Sequence, residues 1–188
     1  MRPLLHLLKY QGLEPIADTL GTAIARQLAC QADLPAQPLV VPVPLFHARQ
    51  KQRGFNQSEL LVRATVRSLR KMKREWRGEL AARVLQRSRA TQSQAGLSLS
   101  ERRRNLRGAF FVPDAGAVKG RDVLLVDDIY TTGATARACS SALKRAGAAS
   151  VWVATAARAQ RYETELRYQQ SPQDLEMSRD VALWSAAQ

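Results

Sequence analysis

The run from Val123 to Ala136, read VLLVDDIYTTGATA, constrains the fold more than any other part of the chain. Val123, Leu124, Leu125 and Val126 are consecutive apolar residues with no polar alternation. That pattern predicts a strand buried on both faces, as in parallel sheets covered by helices on each side. Asp127 and Asp128 follow directly. A short loop of hydroxyls and glycine comes next, and a helix then runs to about Ala146, with Gly147 as its stop. A parallel strand needs crossover connections, so the run points to an α/β chain.

The loop after the strand carries the chemistry. A glycine-containing turn at a helix N-terminus aims several backbone N–H groups at one point, which suits an anion. Thr131, Thr132 and Thr135 add hydroxyl donors. Paired carboxylates suit vicinal hydroxyls, because each oxygen accepts an O–H hydrogen bond. Phosphate on one side and a diol on the other describe a ribose 5-phosphate. The plainer alternative is an acidic turn and a helix cap, but two adjacent acids at a buried strand's end repel each other without a ligand or donors. The segment resembles the phosphoribosyl pyrophosphate (PRPP) signature of type I phosphoribosyltransferases, which is a hydrophobic strand, two acids, a variable pair, then T-G-x-T.

The same alternation of strand and helix recurs elsewhere. Pro15 to Cys30 reads as a helix, with Ile16, Leu20, Ile24 and Leu28 four apart and proline in the first turn. Leu39 to Val41 reads as a short buried strand running into Pro42-Val43-Pro44. A basic loop ends at Gly54, and a second helix begins near Ser58. Its buried face would hold Leu61, Thr65, Leu69 and Met72, and its other face Arg63, Arg67, Arg70, Lys71, Lys73 and Arg74. Ala81–Leu85, Ala109–Val112 and Val151–Ala156 read as further strands. The expected architecture is α/β, with a central, mostly parallel sheet flanked by helices over residues 1–158. Residues 159–188 are polar and interrupted by Pro172, and are expected to be a helical or loose C-terminal extension. Ligands in such sheets lie at the carboxyl ends of the strands. The loops after Val43 and Asp127 both leave such ends, so they can face one pocket.

The net charge is +13 over 188 residues. From Ala159 onward three arginines face five carboxylates, so the remainder carries 26 basic and 11 acidic residues, a net +15. Such a field favours polyanions, either a pyrophosphorylated sugar or nucleic acid, although solubility alone also explains a basic surface. Cys30 and Cys139 lie far apart in helical patterns and are expected to be buried packing residues in a reducing compartment. No stretch approaches the about 20 apolar residues of a membrane span, and MRPLLHLLKYQG lacks a small-residue cleavage site. A cytoplasmic protein without membrane insertion is expected.

Two more segments carry candidate residues. Val41 to Leu61, VPVPLFHARQKQRGFNQSELL, places Leu45, Arg49, Lys51 and Arg53 where a pyrophosphate can be reached, with Gly54 permitting close backbone approach. Asn56 and Gln57 stand near the next helix start. Arg87 to Phe110 is polar and basic with few apolar anchors. It reads as an excursion between two strands that can close over a site, with Arg87, Arg102 and Arg103 as anion contacts and Thr91, Gln94 and Asn105 as holders of the closed form. A solvated helix beginning at Ser100 is the plainer reading of that block.

Taken in order, LLHLLKYQG, VPVPL, RGFNQSELL, RxxxTxxQxxLSxxERxxNLxGAF and VLLVDDIYTTGAT resemble the competence protein F (ComF) family, also described as GntX-like. The similarity covers Leu4 to Arg158. Family members commonly carry a four-cysteine zinc ribbon ahead of the LLKY segment. The cysteines for it are absent here, so no zinc is expected.

The resemblance implies binding of PRPP with Mg²⁺, transfer of phosphoribosyl to an acceptor with release of pyrophosphate, and a link to competence or DNA uptake. It implies that Asp127 and Asp128 meet the ribose hydroxyls, with Mg²⁺ held at most through water. Thr131, Thr132, Gly133, Ala134 and Thr135 would cradle the 5-phosphate. Leu45, Arg49 and Arg53 would line the pyrophosphate loop, and Arg87 and Arg102 the closing segment. Acceptor contacts are open among His6, Tyr10 and Phe46, with His47 read as surface. The alternative is a non-catalytic PRPP-binding module that holds single-stranded DNA through the basic face of the second helix, with DNA-uptake proteins as further candidate partners.

Overall fold

A computed structural model describes residues 4, 7–8, 13–90, 99–158 and 182–185. Its helices are α1 (Glu14–Ala29), α2 (His47–Arg53), α3 (Gln57–Met72), α4 (Leu99–Leu106) and α5 (Ala134–Arg145). Its strands are β1 (Leu39–Pro42), β2 (Glu79–Leu80), β3 (Gln86–Arg87), β4 (Phe110–Phe111), β5 (Asp122–Tyr130), β6 (Ser150–Arg158) and β7 (Ala182–Ser185). Five strands form one sheet in the order β2-β1-β5-β6-β7. The pairs β2–β1, β1–β5 and β5–β6 are parallel, and β7 runs antiparallel to β6. The expected α/β architecture with a mostly parallel sheet is therefore the observed one.

The apolar run of β5 sits at the sheet's centre because both of its faces are covered. Leu124 and Val126 pack with Leu20, Ile24 and Leu28 of α1 and Leu61 and Leu69 of α3. Val123 and Leu125 pack on the other side with Cys139 and Leu143 of α5 and with Phe110. Alternation across the pleat thus divides one hydrophobic run between two cores. Helices α1 and α3 cross closely at Gly21, where an added Cβ would come within 2.5 Å of the Ala64 Cβ and 2.9 Å of the Thr65 nitrogen. Only glycine fits that crossing.

Several expectations are corrected. Ala81–Leu85 is not a strand. Glu79 and Leu80 pair with Leu39 and Val40, after which the chain turns and delivers Gln86 and Arg87 to an antiparallel pairing with Phe111 and Phe110. The Val41–Leu61 connection is not all loop, because α2 occupies it and ends at Gly54 in the left-handed conformation, φ +79°. Met72 is exposed at the last residue of α3 rather than on its buried face, and Cys30 is exposed at the C-cap of α1. Cys139 is buried as expected. Part of the C-terminal segment is neither helical nor loose: Ala182–Ser185 pair with Thr155–Trp152 as the sheet's edge. Among the described residues, no helix is long and apolar enough to cross a membrane.

Candidate functional site

Parallel pairing brings the carboxyl ends of β1 and β5 to one edge of the sheet, with Pro42 opposite Val126. Val43 continues the ladder by donating its N–H to the Val126 carbonyl at 2.9 Å. The two loops expected to share a pocket are therefore neighbours. The carboxylates do not lie beyond the strand, as the sequence suggested. β5 runs through both, with Asp127 opposite Thr155 and Tyr130 opposite Arg158.

The start of α3 locks this edge together. Asn56 caps α3 by accepting the Ser58 N–H at 3.1 Å, and its amide donates to the Val43 carbonyl at 3.1 Å. Ser58 Oγ donates to Asp127 Oδ1 at 3.2 Å. The Asp128 N–H donates to the same oxygen at 2.9 Å. Arg53 reaches Gln57 Oε1 at 3.2 Å. The RGFNQS stretch thus ties the β1 loop, α3 and the acid pair into one unit.

Burial and the adjacent charge of Asp128 push the Asp127 carboxyl up to about 7, with the Asp128 N–H and Ser58 Oγ pulling in the opposite direction. Asp128 is itself buried. Arg87, half-buried, has its guanidinium 5.5 Å from the centre of the Phe110 ring. Burial lowers its pKa, Arg49 adds to that, and Asp127 opposes it. Arg87 and Arg49 accordingly share one field with Asp127. Burial and Asp127 also push the Cys139 thiol well above its ordinary value, which keeps it protonated and unreactive.

Gly133 precedes α5 with φ +71°, and Thr132 Oγ1 accepts the Ala134 N–H at 3.4 Å. The Tyr130 ring occupies the space a Cβ would need there. Arg137 reaches back one turn and donates to the Thr132 carbonyl at 2.5 Å, fixing the loop from the helix side. Thr131 is exposed, Thr132 and Thr135 are half-buried, and Ala134 is buried. The Arg158 guanidinium lies 5.8 Å from the centre of the Tyr130 ring. The glycine-started helix and the two carboxylates therefore flank a single short loop.

Beside β1 lies a cleft of about 590 Å³ lined by Leu45, His47, Asn56, Glu59, Arg63 and Arg87, among others. His47, read as surface, is exposed but lines this cleft. Arg63, read onto the helix face opposite the buried one, lines it too and pairs with Glu59 at 2.6 Å. Arg49 and Lys51 are exposed on α2. Arg102 and Arg103 fall within α4, with side chains outside the described residues. His6, Tyr10, Thr91 and Gln94 lie outside them as well. Asn105 enters through its backbone, its carbonyl accepting from Arg89 at 3.1 Å.

Sequence reasoning missed Ser58, Tyr130, Arg137 and Arg158 as site residues. Arg137 carried a local signal, four residues past Gly133 on the first turn. Ser58 and Arg158 carried none, because each reaches the site only through sheet and helix packing.

The family model for the phosphoribosyl transferase domain matches residues 18–174. The DNA utilization protein YhgH of Escherichia coli is 36% identical over 156 residues, covering 81% of this chain and 65% of that protein. Competence protein F of Haemophilus influenzae is 36% identical over 121 residues, covering 64% of this chain and 50% of that protein. Competence protein ComFC of Bacillus subtilis is 30% identical over 114 residues, covering 60% and 41%. The chain thus spans about two thirds or less of these relatives' lengths, and they bear out the ComF-like resemblance read from the motifs. Among solved structures, the glutamine PRPP amidotransferase of B. subtilis complexed with ADP and GMP aligns with a TM-score of 0.45 and 21% identity, covering 74% of this chain and 26% of that one. A glutamic acid mutant of an HPRT aligns at 0.41 and 16%, covering 74% and 66%.

Proposed function

The chain belongs to the phosphoribosyl transferase domain family, and on that premise we propose that it binds PRPP at the Asp127–Gly133 edge and transfers the phosphoribosyl group to an acceptor with release of pyrophosphate. One observation carries this reading: a carboxylate pair, with Asp128 buried and Asp127 half-buried, and a glycine-started helix stand on either side of one loop. Asp127 and Asp128 accept hydrogen bonds from the ribose hydroxyls. The first-turn N–H groups of α5, with Thr131, Thr132 and Thr135, hold the 5-phosphate. Leu45, Arg49, Arg53 and Arg87 line the region where the pyrophosphate sits, and Arg102 belongs to the segment expected to close over it.

Bond breaking at the anomeric carbon leaves an oxocarbenium-like sugar and places negative charge on pyrophosphate. No nucleophilic side chain is needed. The protein orients the sugar and stabilises the leaving charge with Arg49 and Arg87. Two adjacent carboxylates supply the hard oxygen donors that suit a Mg²⁺ ion that keeps most of its waters. Asp127 and Asp128 would hold that ion through water, and it would neutralise pyrophosphate charge when bound. The deciding experiment incubates the protein with PRPP and Mg²⁺ against a panel of bases and amines and follows pyrophosphate release. Turnover with any acceptor supports transfer; intact PRPP binding without turnover overturns it.

A second reading is a cytoplasmic, non-catalytic PRPP-binding module that holds single-stranded DNA in competence. The net charge of +13 and relatives named for DNA utilization and competence favour it.

A further inference from the structure

On the face of α3 read from sequence as the nucleic-acid surface, Arg63, Arg67, Arg70 and Lys73 have local partners. Arg63 pairs with Glu59 at 2.6 Å and Arg67 with Asp18 at 3.2 Å. Arg70 donates to the Gly78 carbonyl at 2.8 Å and Lys73 to the Ala29 carbonyl at 3.5 Å. The two ion pairs offset part of the charge of this face, and the two carbonyl bonds hold Arg70 and Lys73 in place.

A different surface keeps its charge. Between α4 and α5 runs a groove of about 420 Å³, floored by the buried Leu106 and Phe110. Arg107 stands on one rim, and Arg137, Ser141 and Arg145 on the other. The last three recur at four-residue spacing, so they occupy one face of α5. Among the described residues no carboxylate lines this groove, whereas Glu59 lines the cleft beside β1, and Glu79 and Asp114 line the one at the far end of β1. Arg107 and Arg145 are exposed and form no ion pair among the described residues. The groove begins at Ala134 and Arg137, which also belong to the phosphate cradle, and follows α5 for about 17 Å at 1.5 Å per residue.

We propose that the α4–α5 groove is the docking surface for the phosphate backbone of single-stranded nucleic acid. The inference rests on the second reading above and relocates its surface from α3. Phe110 is buried, so the groove offers no exposed ring on which a base could stack. Contact is with phosphates, indifferent to sequence and steeply salt-dependent.

The test titrates a 5′-fluorescein-labelled oligothymidylate by fluorescence anisotropy at several salt concentrations. Wild type is compared with Arg107→Ala/Arg145→Ala, with Arg145→Glu, and with an α3 variant in which Arg67, Arg70, Lys71 and Arg74 become alanine. Calorimetry with ribose 5-phosphate runs in parallel on each protein. The groove double variant should lose about 1.4 from the slope of log affinity against log salt, about 0.7 per lost phosphate contact. Arg145→Glu should weaken binding further than alanine at that position. The α3 variant should keep the wild-type slope, and all should bind ribose 5-phosphate normally. An unchanged slope in the groove variants, or the loss appearing in the α3 variant instead, overturns the assignment. Failure of wild type to bind the oligonucleotide while still binding ribose 5-phosphate overturns the nucleic-acid reading and leaves the transferase reading standing.

Discussion

Ser58 Oγ and Asp127 Oδ1 are joined by a 3.2 Å hydrogen bond that spans 69 residues of sequence. Through it the first turn of α3 sets the position and acidity of a carboxylate within the second half of β5. Asn56, two residues earlier, holds the β1 loop by its Val43 carbonyl. One helix start therefore registers both loops of the site.

Replacing Ser58 by alanine should remove a donor that favours the ionised form of Asp127, so its pKa should rise further above about 7. Stability should fall by about 1 kcal/mol, the usual net worth of such a bond. Carboxyl titration by NMR and a urea melt check the two effects separately. An unaltered Asp127 titration would show that the bond does not act in solution.

The raised pKa also predicts a pH dependence with a definite sign. Burial and Asp128 push the Asp127 carboxyl up to about 7 in the fold, from an ordinary value of 3.8. The folded state therefore holds a proton that the unfolded chain has already released. Stability from this group is fully present below about 3.8 and is lost as pH rises toward 7. Urea midpoints of wild type should drop relative to Asp127→Asn across that window, with the two curves parallel outside it. The same substitution combined with Asp128→Asn should weaken ribose 5-phosphate binding, and unchanged calorimetric affinity would remove the acid pair from the sugar site.

Gly133→Val should abolish 5-phosphate binding. The position has φ +71° and the Tyr130 ring fills the Cβ space, so the substitution adds about 1–3 kcal/mol of backbone strain and displaces the ring. Thr135→Ser keeps the hydroxyl and should be mild. Isothermal calorimetry with ribose 5-phosphate distinguishes the two, and normal binding by the valine variant would place the cradle elsewhere.

Arg137→Ala should loosen the loop without unfolding the helix, because the lost bond runs to the Thr132 carbonyl and not into the core. Ribose 5-phosphate affinity should fall several-fold, with a melting temperature close to wild type. A lysine at the same position should restore part of the loss. Equal affinity in all three proteins would mean that Arg137 does not hold the cradle.

What the sequence determined by itself was local. Val123–Val126 could only be a strand covered on both faces, because four consecutive apolar side chains leave no side for water. Gly133 marked the turn into the helix, and the φ of +71° found there is one that glycine adopts at little cost. The acid pair and hydroxyl run named the ligand chemistry through donor and acceptor types alone. Tertiary structure decided which distant groups answer them. Ser58 meets Asp127, and Arg87 shares its field with Asp127, because parallel pairing and helix packing bring separate loops to one edge. The Asp127 pKa follows from the same cause, since desolvation depends on what packs around a carboxyl and not on its sequence neighbours alone. Ala182–Ser185 became an edge strand for a similar reason. A strand's pairing direction is set by the free edge it finds, and the chain's own periodicity does not specify that edge.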